Sequence, residues 1–100
     1  MEEVSPYTKI EIGVSGVQEI VQNVAMILST PKGSLPLDRE FGTNWHFVDQ
    51  PTPKAIASIR QDIAQTISKY EPRARVREID FAGSRLNSLV PTVRLEILSD

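Results

Sequence analysis

Apolar residues recur along this chain with two different periods, and the switches between them mark its elements. Lys9-Ile10-Glu11-Ile12-Gly13-Val14 alternates, which puts Ile10, Ile12 and Val14 on one face and predicts a half-buried strand over about 9–14. From Val17 the spacing changes to three and four. Val17, Ile20, Val21, Val24, Ile27 and Leu28 form one stripe, with Glu19, Gln22 and Asn23 outside it, so an amphipathic helix is predicted over about 15–29. Ser15 with Gln18 three residues later has the form of a capping box at its start, and Thr30-Pro31-Lys32-Gly33 stops it. A second helix is predicted over about 53–70. Thr52-Pro53 supplies an N-cap and a proline in the first turn, and Ile56, Ile59, Ile63, Ile67 and Tyr70 share a face.

That helix runs into Tyr70-Glu71-Pro72-Arg73. Proline disfavours helical geometry at the residue before it, so Glu71 is pushed towards an extended conformation and the chain enters a strand. Two strands are predicted, about 74–82 and about 90–98, paired as a hairpin across the turn-rich Gly83-Ser84-Arg85-Leu86-Asn87-Ser88. In the last strand Val93, Leu95 and Ile97 face one way and Arg94 and Glu96 the other. In the strand before it the apolar parity changes between Val76 and Ile79, as would follow from a bulge or from a strand whose first half meets a different surface from its second half. Pro91 belongs at a strand start or on an unpaired edge, because it has no donor for the ladder.

Between Ser29 and Gln50 no period is sustained. A stretch of about twenty residues without regular structure is unusual in a small domain. Leu35, Leu37, Phe41, Trp45 and Phe47 are available to anchor it on the core, so an ordered excursion is expected. The fold class that results is α+β, two helices packed on a small, largely antiparallel sheet. One domain spans 1–100, with residues 1–7 expected to be flexible.

Composition narrows the function. The 100 residues carry a net charge of −2 and no cysteine, which removes disulfides and cysteine-ligated metal centres. Arg73, Arg75, Arg77, Arg85 and Arg94 crowd the carboxy-terminal third, but a slightly acidic chain with few aromatics lacks the long-range attraction that nucleic acid requires. No apolar run approaches the roughly 20 residues of a membrane span. The acidic Met1-Glu2-Glu3-Val4-Ser5-Pro6 is the opposite of a signal peptide, and synthesis and assembly in the cytoplasm are the expectation.

An enzyme would have to be built from carboxylates. Asp38, Glu40, Asp49 and Glu71 offer the acid and base or nucleophile of a hydrolase, although nothing in their spacing demands it. His46 is the sole histidine, and a lone histidine makes a weak metal site. Gly13 and Gly16 lack the third glycine of a dinucleotide fingerprint. No catalytic residue, metal or cofactor is expected. In an extended strand the guanidiniums of Arg73, Arg75 and Arg77 would share a face, either solvated or offered to carboxylates of a partner. Glu71 could equally pair with Arg73 inside the domain.

Three segments, in this order, resemble a known family: Ile27-Leu28-Ser29-Thr30-Pro31-Lys32-Gly33-Ser34-Leu35-Pro36, then Glu40-Phe41-Gly42-Thr43, then Lys69-Tyr70-Glu71-Pro72-Arg73. They resemble the baseplate wedge and sheath-initiator proteins of contractile phage tails, tailocins and type VI secretion systems. The family is sometimes labelled lysozyme-like, but the resemblance implies a structural virion or tail-particle component and no enzyme. A carboxylate-dependent peptidoglycan hydrolase using Asp38, Glu40 and Glu71 is the competing reading. By the resemblance, Glu71-Pro72-Arg73 is a tripeptide important for assembly, and the partners are the sheath subunit and other wedge proteins, with tube or hub proteins as further candidates. Six copies per baseplate are implied, so multivalency would offset weak single contacts. The expected partner-binding residues are Glu71, Pro72, Arg73, Arg75, Val93, Leu95 and Ile97, the last three on a terminal strand offering its edge to extended arms of sheath subunits.

Overall fold

The computed structural model describes residues 2–6, 16–47, 52–81 and 90–98. Among these, three strands and two long helices make a two-layer α+β fold. The strands are β1 (Glu2–Val4), β2 (Ala74–Asp80) and β3 (Thr92–Ile97), and the helices are α1 (Val17–Ser29) and α2 (Pro53–Tyr70). All pairing in the sheet is antiparallel, in the spatial order β1-β3-β2. The strand expected over 9–14 lies outside the described residues. The amino-terminal segment, expected to be flexible, contributes β1 instead. Val4 lies opposite Val93 and its side chain is fully buried, which ties the segment into the core.

The helical periodicities translate directly into burial. Ile20, Val24, Ile27 and Leu28 of α1 and Ile59, Ile63 and Ile67 of α2 meet Val4, Ala74, Ile79, Val93 and Leu95 of the sheet in one apolar cluster. Val17, assigned to the stripe of α1, is exposed at the first turn. That turn also corrects the expected capping box. Gly16 occupies the N-cap position at φ 69°, no side chain caps the helix, and Ser15 lies outside the described residues. Thr52 does cap α2, its hydroxyl accepting from the Ala55 amide at 3.2 Å, with Pro53 in the first turn.

The parity change in β2 is a bulge. Val76 pairs with Leu95 and Glu78 with Arg94, so Arg77 is the extra residue and the inward positions move from 74 and 76 to 79. Pro91 sits just ahead of β3, where no ladder donor is required. The solvent face of the sheet carries ion pairs across all three strands: Arg94 reaches Glu3 of β1 and Glu78 of β2, and Arg77 holds Glu96.

The described part of the excursion after α1, through Phe47, is ordered, but by polar clamps more than by apolar anchors. Phe41 and Trp45 pack against the core, whereas Leu37 is fully exposed and Leu35 is 40% exposed, contrary to expectation. Lys32 pairs with Asp62 of α2 at 2.6 Å, and the second oxygen of Asp62 accepts from the Asn44 amide at 2.9 Å. Tyr70 donates to Asp38, Lys69 holds Glu40, and the Phe41 ring meets Tyr70 edge-on at 5.0 Å. At the base of the loop Pro31 and Thr43 form a bridge, with the Thr43 amide donating to the Thr30 carbonyl and the Lys32 amide to the Thr43 carbonyl, both at 3.0 Å. The Leu28 carbonyl, near the end of α1, accepts from the Trp45 indole at 2.8 Å and from the Thr43 hydroxyl at 3.4 Å. Those two bonds satisfy a carbonyl that the helix itself leaves with no partner.

Candidate partner-binding site at the end of the second helix

Glu71 closes α2. Its amide still donates to the Ile67 carbonyl at 2.7 Å, but its backbone has left the helix (φ −138°, ψ 76°), as the following proline requires. Leaving the helix there turns the carboxylate inward, and only 3% of Glu71 remains exposed. A buried carboxylate persists only when its oxygens are satisfied. Arg73 provides a side-on fork, Nε to Oε1 at 2.7 Å and Nη2 to Oε2 at 3.0 Å. Asn23, on α1, adds a third bond from Nδ2 to Oε2 at 2.9 Å. Glu19, one turn before Asn23, lies 3.7 Å from Arg73 Nη2.

Glu71 and Arg73 therefore pair within the domain, and the pair stitches α1 to the α2–β2 junction. The Arg73 hydrogen bonds, aided by Asn23, hold the Glu71 carboxyl below its ordinary value against the opposing effect of burial. The same contacts raise the Arg73 guanidinium further above its already high value.

A pH dependence follows. Glu71 keeps its proton off more readily folded than unfolded, so its stabilisation is complete above about pH 4.5 and is lost as pH falls towards the lower folded value. His46 is also lowered, chiefly by burial, so its neutral form favours the fold and stability declines as pH drops below about 6.5. Urea unfolding between pH 3 and 7 is expected to show both slopes, with Glu71→Gln flattening the acidic one and His46→Gln the upper one. Unchanged slopes in the variants would contradict the assignment.

The remaining expected site residues separate into two groups. Pro72 is exposed in the turn, and Arg75 is exposed on the outer sheet face opposite Glu96, with no ion-pair partner among the described residues because Arg77 takes that carboxylate. Arg73, Arg75 and Arg77 do not form one row, since Glu71 draws Arg73 back ahead of the strand and Arg77 is the bulge residue. Val93 and Leu95 are fully buried in the stretch of β3 that pairs with β1 on one side and β2 on the other, and Ile97, half-buried, pairs with β2. The expectation that β3 offers a free edge is thus corrected. Among the described residues the sheet's outer strands are β1 and β2, because Glu2–Val4 take the place beside β3.

Beside β2 runs an open groove of about 480 Å³ lined by Arg60, Gln61, Ala64, Val76, Arg77, Glu78 and Ile79. A second depression, bounded by Ala64, Ser68, Pro72, Ala74, Arg75, Val76 and Leu98, continues it to the Glu71-Pro72-Arg73 turn. Sequence reasoning missed Asn23 and Glu19. It had placed both outside the apolar stripe of α1, but their proximity to Glu71 and Arg73 exists only once the helix is docked.

The carboxylates proposed for hydrolysis are engaged elsewhere. Asp38 accepts from Tyr70 and from the Glu40 amide, Glu40 pairs with Lys69, and Glu71 is held ionised by Arg73, the opposite of what a general acid needs. Asp49 lies outside the described residues. Among the described residues no group of three or more histidine, cysteine or acidic side chains is placed to hold a metal ion. None of the described helices is long and apolar enough to cross a membrane.

A family model described as baseplate wedge protein gp25 matches residues 14–99. The chain belongs to this baseplate wedge family. No curated protein matches it in sequence. Membership makes the chain a structural component of a phage tail baseplate, with other baseplate components as its partners. It also gives meaning to the three segments singled out in the sequence: the first two form the Pro31–Thr43 bridge at the loop base, and the third forms the Glu71–Arg73 clasp.

Proposed function

We propose that this wedge protein joins neighbouring baseplate proteins through the Glu71-Pro72-Arg73 turn and templates the first sheath ring by accepting an extended arm along β2. The observation that carries the reading is the outer side of β2. No strand pairs with it among the described residues, and a groove floored by Ala64, Ala74 and Val76 lies alongside. A strand added there gains main-chain hydrogen bonds, while the groove takes alternate side chains and fixes the register. Arg75, which has no ion-pair partner among the described residues, stands at the same edge to meet an acidic residue of the arm. The bulge at Arg77 limits the regular edge to the first half of the strand, which restrains self-association. A structural component with this geometry has no need of catalysis, and the clasped state of Glu71 favours that assignment. Assembly in the bacterial cytoplasm, in a phage, tailocin or secretion-type particle, accompanies the reading.

The test is co-expression with the cognate sheath subunit and neighbouring wedge proteins, followed by size exclusion with light scattering. Ala64→Arg fills the groove from the helix side without touching the core. It is expected to abolish the sheath complex while the thermal melt stays cooperative. A sheath complex that survives Ala64→Arg would rule out the β2 groove as the template.

A further inference from the structure

Arg73 has two carboxylates beside it, held on very different terms. Glu71 occupies the side-on fork through two hydrogen bonds, is almost wholly buried, and has a third bond from Asn23. Glu19 stands 3.7 Å from Nη2, beyond hydrogen-bond distance, with about half of its side chain exposed. The Arg73 side chain is itself 39% exposed, and among the described residues no other side-chain acceptor meets its guanidinium. A guanidinium has five donors, and the side-on fork uses two; the end-on pair, Nη1 and Nη2, remains for a second planar acceptor. An exposed ion pair without a hydrogen bond contributes little and is readily exchanged.

We propose that Glu19 is a placeholder: it neutralises the outward edge of Arg73 in the free protein and is displaced there by a carboxylate of a neighbouring wedge protein. Glu71 and Asn23 act as positioning residues, fixing the guanidinium plane so that its end-on fork faces outward. This rests on the reading of the turn as an assembly site, and it adds the chemistry of the partner group, an aspartate or glutamate side chain. It also adds a determinant on α1 that lowers affinity. A competing acid at the docking point keeps the free subunit from binding arbitrary acidic surfaces, and a correctly placed bidentate carboxylate outcompetes it by geometry.

The experiment measures the affinity of the wild-type protein, Glu19→Gln, Arg73→Lys and the double variant for the neighbouring wedge protein of the same baseplate, by titration calorimetry. Thermal melts run in parallel. Glu19→Gln is expected to melt as the wild type does and to bind about two- to fivefold more tightly, the span of an exposed ion pair. In the Arg73→Lys background, where no fork exists, that gain is expected to vanish. Unchanged affinity in Glu19→Gln overturns the placeholder role. Weaker binding overturns it too, and would mark Glu19 as a contact for a cation of the partner. Failure of the underlying reading looks different: Arg73→Lys, folded, would then bind as tightly as the wild type.

Discussion

Arg73→Ala is expected to destabilise the protein more than Glu71→Ala, and the double variant is expected to be more stable than Arg73→Ala alone. The order follows from burial. Removing Glu71 leaves the partly exposed guanidinium free to rehydrate, and leaves the Asn23 amide short of one acceptor, a loss of about 1–3 kcal/mol. Removing Arg73 instead strands the Glu71 carboxylate, 3% exposed, with Asn23 as its remaining side-chain partner. Stranding one member of a fully buried pair costs about 3–5 kcal/mol; the loss here is smaller, because the Arg73 side of the pair is open to water and Asn23 still donates to Glu71. Against the 5–15 kcal/mol typical of a small domain, that is a large fraction. Urea unfolding of the two single variants and the double, read as a double-mutant cycle, tests the order. Equal losses for the two single variants, or no recovery in the double, would mean that Glu71 is not held as described. Alanine at either position therefore tests folding before it tests assembly. Arg73→Lys keeps the charge and removes the fork, and is the variant to take into a baseplate.

The second large effect is expected at Gly42. A Cβ built there lies 2.4 Å from the Thr30 carbonyl oxygen and 3.1 Å from both the Lys32 nitrogen and the Pro31 carbonyl carbon, all of them backbone, and φ is +111°. Strain at such a backbone angle alone costs about 1–3 kcal/mol, and the clash adds to it. Gly42→Ala must push the 40–43 segment away from Thr30–Lys32, breaking the two backbone hydrogen bonds of the bridge. The loss should spread along the loop, because Lys32–Asp62, Asp38–Tyr70 and Glu40–Lys69 are all held from this base. Hydrogen exchange is the direct measurement. The amides of Lys32 and Thr43 are expected to lose protection in Gly42→Ala, while those in the middle of α2 retain it. Retained protection at Lys32 and Thr43 would show that the loop does not depend on the close approach.

Both effects fall on residues that the sequence pointed to for another reason. Glu40-Phe41-Gly42-Thr43 and Glu71-Pro72-Arg73 carried the resemblance to the baseplate family, and the structure gives each a structural duty within the chain. The assembly role proposed for the turn is built on top of that duty: the clasp sets the guanidinium, and what lies outside the clasp is offered to the partner.

The local rules were legible from residue order alone. The three- and four-residue spacing fixed which faces of α1 and α2 are buried. Thr52-Pro53 set the start of the second helix, Pro72 set its end, and the change of parity between Val76 and Ile79 marked an irregularity that the structure resolves as a bulge. Each of these depends on neighbours within a few positions, where backbone geometry and side-chain periodicity suffice. Three outcomes were decided only by the tertiary structure. Glu2–Val4 add a strand beside β3 and bury Val4, so among the described residues the outer strands are β1 and β2 rather than the terminal strand. Polar side chains on α2, not Leu35 and Leu37, pin the long loop. Asn23 and Glu19, 48 and 54 positions from the residues they meet, complete the cluster at Glu71 and Arg73. Strand order and contacts at such separations depend on how whole elements dock, and a docked helix brings its polar flank into reach as a consequence of burying its apolar one.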